Sequence, residues 1–111
     1  YLPYVIQYNA KDDAAKARYA DIARSIGLTG ATDDELTTAL CDKIDACNVA
    51  LNIPKTLKEF GVNEAEFLEK LPRIAELAVG DACTGSNPRS ITPDQMAELL
   101  KCTFYGTKVA F

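Results

Sequence analysis

Three short motifs limit what this chain can fold into: T-D-D-E at 32–35, N-E-A-E at 63–66 and T-P-D-Q at 92–95. Each sets a Thr or Asn three residues ahead of a Glu or Gln. The first side chain accepts the amide proton of the fourth residue, and the fourth reaches back. That is the signature of a helix start. Pro93 takes the first helical position, where its missing N–H costs nothing. The acids after Thr32 suit the positive end of a helix. Gly27, Gly61 and Gly106 stand where the intervening helices should stop.

The rest of the punctuation is consistent. Residues 4–9 read as the last turns of a helix whose beginning is missing. Asp12 or Asp13 caps a second helix, in which Ala15, Tyr19, Ile22, Ala23 and Ile26 recur at helical spacing. In the third, Leu36, Leu40, Ile44, Cys47 and Leu51 form one apolar stripe, and Pro54 stops it. Thr56 opens a short L-K-E-F turn. Phe67, Leu71, Ile74, Ala75 and Ala78 face inward from the next helix, and Pro72 predicts a kink or two abutting helices. Met96, Leu99, Leu100 and Thr103 give the last stripe. Nothing alternates as a strand, so the expected fold class is all-α, a bundle of four to six helices. Residues 1–111 are expected to form a single helical domain.

Composition removes several functions. The 111 residues are 48% hydrophobic and 25% charged, with a net charge of −4. The basic residues are scattered, which excludes a nucleic-acid or anionic-membrane surface. No apolar run is long enough to span a bilayer. The chain has no histidine, which removes the commonest general base and the commonest metal ligand. Its six glycines are dispersed, so no phosphate-cradling loop is present.

Cys41, Cys47, Cys83 and Cys102 form no C-x-x-C pair. Cys41 and Cys47 project about 120° apart at ~100° per residue. Free thiols in a reducing cytoplasm are therefore expected. Cys41 and Cys102 belong in or beside helix contacts, and Cys47 in its stripe as a small hydrophobe. Cys83 falls at the end of the fifth helix, on the face of Ala75 and Val79, and reads as a buried wall residue, with a pocket-lining role as the alternative. The helix C-terminus disfavours a thiolate, so Cys83 is no nucleophile. Beyond it, Asn87 is placed to bond its neighbouring backbone and Pro88 stiffens the turn.

Three segments carry a resemblance. L-N-I-P-K-T-L-K-E-F-G-V at 51–62, D-A-C-T-G-S-N-P-R at 81–89 and F-Y-G at 104–106 resemble the C-terminal end of iron-containing (group III) alcohol dehydrogenases. L-P-Y-V-I-Q-Y-N-A at 2–10 and R-Y-A-D-I-A-R-S-I-G-L at 18–28 are similar to the helices that precede it. The likeness is nearest to the lactaldehyde reductase, 1,3-propanediol dehydrogenase and aldehyde–alcohol dehydrogenase branches.

The resemblance implies part of the C-terminal helical domain of a dehydroquinate synthase-like fold. It implies a two-domain parent that is cytoplasmic and homo-oligomeric. An N-terminal domain would hold NAD(P), and an aspartate and three histidines would hold Fe(2+), or Zn(2+). The metal would polarise the alcohol or carbonyl oxygen of a small substrate while the nicotinamide exchanges hydride. None of those ligands has a counterpart here, and neither do the cofactor loops. The chain is thus expected to be a C-terminal fragment without catalytic, metal or cofactor residues. Its expected partners are the missing dinucleotide-binding domain, the missing metal-binding helices and the small alcohol or aldehyde. Cys83 alone carries over, as a substrate-pocket wall. The competing reading is a stand-alone helical interaction module, or a small structural protein, with no catalysis.

Overall fold

The computed structural model describes residues 1–111. The fold is all-helical, with six α-helices and one short 3-10 turn: α1 (Leu2–Asn9), α2 (Asp13–Ser25), α3 (Asp33–Ala50), α4 (Leu57–Phe60), α5 (Glu64–Gly80), the turn Thr84–Ser86, and α6 (Pro93–Tyr105). By contact the chain divides into two compact units. One holds Tyr1–Ile53 with Val109–Phe111, and the other holds Pro54–Lys108.

The helix starts are built from the motifs, with one variation. Thr92 and Gln95 make the full reciprocal pair: the Gln95 amide donates to Thr92 Oγ1 at 3.2 Å, and the Thr92 amide donates to Gln95 Oε1 at 3.1 Å. Thr32 accepts from the Glu35 amide at 3.2 Å, yet Glu35 reaches back to the amide of Ala31, not of Thr32, at 2.6 Å. Asn63 accepts from the Glu66 amide at 3.0 Å, while the Glu66 carboxylate pairs with Lys70 instead. The Asp12 carboxylate caps α2 through the Ala15 amide at 2.8 Å.

In the first unit Ile6, Ala20, Ala23, Leu36, Leu40 and Cys41 form the core, with Tyr19, Leu28 and Ile44 packed against it. The small Ala20 and Ala23 let α2 approach α3 closely. Arg24 links their ends, reaching Asp33 at 2.7 Å and Asp21 at 2.9 Å. Its hydrogen bond to Asp33 raises its pKa. The Lys16–Asp34 pair, at 3.1 Å, likewise raises that of Lys16, chiefly through the hydrogen bond. Both pairs are exposed enough that they set geometry more than stability. The C-terminal segment belongs to this unit: the Val109 amide donates to Gln7 Oε1 at 2.9 Å, and Phe111 meets Tyr8 edge-on.

In the second unit Phe67, Leu71 and Phe104 are the buried centre, flanked by Leu57, Val62, Ala97 and Leu100. Helix α5 runs through Pro72 as one element. Pro72 sits on its exposed side, where water can serve the Leu68 carbonyl that a proline leaves without a donor.

Five residues expected inside are exposed: Ile22, Ile26, Cys47, Leu51 and Ile74. Ile26 is the last residue before Gly27, where α2 has already ended. Cys47 and Leu51 lie on the right stripe of α3, but its buried residues end at Cys41. Ile74 stands at the margin of the face that Phe67, Leu71 and Ala75 bury.

Candidate functional site

The segment from 81 to 92 links α5 to α6. Helix α5 ends at Gly80, three residues before Cys83. Cys83 therefore leaves the Ala75 face and is exposed. The expectation of a buried wall residue is corrected here, because the chain turns out of the helix at Asp81, whose backbone is extended.

The turn is held by its own polar side chains. The Cys83 amide donates to Asp81 Oδ1 at 2.8 Å. Thr84 Oγ1 donates to the Ala78 carbonyl at 2.6 Å, which serves one of the last carbonyls of α5. Ser86 Oγ donates to the Cys83 carbonyl at 2.8 Å. Asn87 Nδ2 donates to the Arg89 carbonyl at 2.6 Å, as its position before Pro88 suggested. These bonds hold the Cys83 backbone from both sides while its thiol stays open to solvent. Such a cysteine can line a surface that something else completes.

Other features do not converge on this turn. No three His, Cys, Asp or Glu side chains are grouped so as to hold a metal ion. The residues present thus do not fit the metal that the family's name implies, and no chemical step is assigned to one. A shallow depression on α2 is lined by Arg18, Asp21, Ile22 and Ser25, away from Cys83 in the sequence. No helix is long and apolar enough to cross a membrane. Cys41 and Cys102 are buried as expected; Cys47 is exposed.

An all-helical fold with these motifs in this order defines the class. Residues 1–104 match the Fe-containing alcohol dehydrogenase family, C-terminal part, and the chain belongs to that family. An NADPH-dependent butanol dehydrogenase of Clostridium saccharobutylicum is 48% identical over 111 residues, covering all of this chain and 28% of that protein. An aldehyde-alcohol dehydrogenase of Clostridium acetobutylicum is 41% identical over 108 residues, covering 86% of this chain and 12% of that protein. A lactaldehyde reductase of Escherichia coli is 37% identical over 100 residues, covering 88% of this chain and 25% of that protein. The last two bear names of branches that the motifs suggested. The chain thus spans little more than a quarter of the first relative.

Proposed function

We propose that this chain is the C-terminal part of an NAD(P)-linked, metal-dependent alcohol dehydrogenase that interconverts a small alcohol or diol and its carbonyl form. The match over residues 1–104 carries the reading. The relatives add the substrate class, since their names speak of butanol, lactaldehyde and an aldehyde–alcohol pair. Residues 1–111 act as one helical part of that enzyme. They supply scaffold and one wall of the substrate cleft, and Cys83 lines that wall.

Cys83 fits the role by its chemistry. It is small, weakly polar and held from both sides by the turn. A side chain of that kind shapes a pocket for a short carbon chain without competing for the reacting proton. The polypeptide beyond this chain holds the metal and the nicotinamide, so the isolated 111 residues are inactive.

The test is the intact mass of the native polypeptide that contains T-K-V-A-F, followed by an alcohol oxidation assay on it. A dehydrogenase-sized, active polypeptide supports the reading. A native mass of 12.1 kDa would turn it toward a helical interaction module, and activity in the isolated chain would refute the assignment of roles.

A further inference from the structure

The apolar stripe of α3 does not stop where its cover stops. Leu36 and Leu40 are buried and Ile44 packs against the core. Cys47 and Leu51 continue the same line, since steps of three and four residues stay on one helix face. Yet Cys47 is exposed, and Leu51 is 69% exposed. The uncovered stretch that follows Ile44, as far as Leu51, is about 10 Å long at ~1.5 Å per residue. The cover thus fails for about two turns of an otherwise regular stripe.

The position of α1 shows what lies nearest to this stretch. Cys41 Sγ is 3.8 Å from the carbonyl oxygen of Pro3. The first residues of α1 therefore meet α3 one turn before Ile44. Tyr1 and Leu2 are themselves exposed. Any polypeptide that leads into Tyr1 is delivered beside the uncovered stripe.

We infer that Ile44, Cys47 and Leu51 form the seat for apolar side chains of the polypeptide that leads into α1 in the full-length dehydrogenase. The inference rests on the proposed family-length parent. A patch about 10 Å long and one helix face wide is far below the about 800 Å² per partner of a standard interface between separate molecules. A tethered segment needs no such area. Its effective concentration beside the seat reaches about the millimolar range, so a few apolar contacts suffice to hold it. A second copy of the chain lacks that advantage.

The test uses the native full-length polypeptide, without truncation. It is alkylated with N-ethylmaleimide under native conditions and in urea, and the labelled cysteines are identified by peptide mass spectrometry. Buried Cys41 is the protected reference. Cys47 is expected to react about tenfold or more slowly in the folded protein than in urea, unchanged on dilution. Fast labelling of Cys47 in a folded polypeptide of dehydrogenase length would overturn the inference and leave the proposed function standing. Protection that vanishes on dilution would assign the seat to a second copy and also overturn it. A native polypeptide of only 12.1 kDa would remove both.

Discussion

Phe67 of α5 and Phe104 of α6 stack almost parallel, with ring centroids 4.6 Å apart and planes 16° apart. Phe104 is fully buried, and the exposed ring of Tyr105 meets it edge-on. This stack is the contact through which α5 and α6 share a core. Truncation of Phe104→Ala removes the ring and leaves a cavity, at a cost of about 3–5 kcal/mol. A double-mutant cycle with Phe67→Leu should give a coupling of about 0.5–1.5 kcal/mol for the ring pair. Urea unfolding of the single and double variants checks both numbers. A Phe104→Ala loss below 1 kcal/mol would mean the stack is not the centre of that unit.

Thr37 is a weakness within the first unit. Its side chain is buried, and its Oγ1 has no hydrogen-bond partner. A desolvated hydroxyl without a partner costs about 1–3 kcal/mol. Thr37→Val keeps the branched shape and removes the hydroxyl. It should stabilise the protein by about 1 kcal/mol, read as a higher urea midpoint at unchanged slope. A destabilised variant would show that the hydroxyl has a partner in the native protein.

How much of this was legible follows from how local each feature is. Thr92 with Gln95 was readable because both halves of the cap lie within four residues. The stripe of α3 was readable too, but periodicity says nothing about how far a neighbouring helix extends. Periodicity therefore predicts Leu51 and Cys47 inside, whereas the buried residues of α3 end at Cys41. Cys83 was misplaced because its spacing from Ala75 and Val79 assumed that the helix continued. The Thr84 bond to the Ala78 carbonyl, which closes the end of α5, leaves no periodic trace. The family was legible through C-T-G-S-N-P-R and its neighbours, since a run of unlike residues is more specific than a pattern of apolar ones.

The cap at Thr92 should behave as an isolated energetic unit. Thr92→Ala removes the acceptor for the Gln95 amide and the anchor of the pair, and costs about 1 kcal/mol. Thr92→Ser restores most of it. Equilibrium unfolding of the two variants decides the matter: equal losses would mean that packing near the site, not the cap, is responsible.

The pocket role proposed for Cys83 predicts a change in substrate range in the proposed full-length enzyme, not a loss of fold. Cys83→Phe should lower kcat/KM for a branched alcohol by about tenfold or more relative to ethanol, because steric discrimination grows with substrate size. Cys83→Ser should keep the ratio near that of the parent. Both variants should unfold at an unchanged urea midpoint. An unchanged substrate ratio in Cys83→Phe would place Cys83 outside the cleft.

Tyr105 and Glu64 predict an alkaline dependence. The Tyr105 hydroxyl donates to Glu64 Oε1 at 2.7 Å, tying the end of α6 to the start of α5. That bond, followed by desolvation and the nearby negative charge, raises the phenol pKa above its usual 10.0. A raised pKa means that the folded state favours the neutral phenol. The contribution is therefore fully present below the ordinary value and is lost as pH rises through the raised one. Relative to Tyr105→Phe, the parent should be the more stable protein near neutrality, and the difference should shrink through the alkaline range. Tyrosinate absorbance followed alongside urea midpoints across that range tests the sign. A difference that stays flat as tyrosinate forms would show that the bond does not persist in solution.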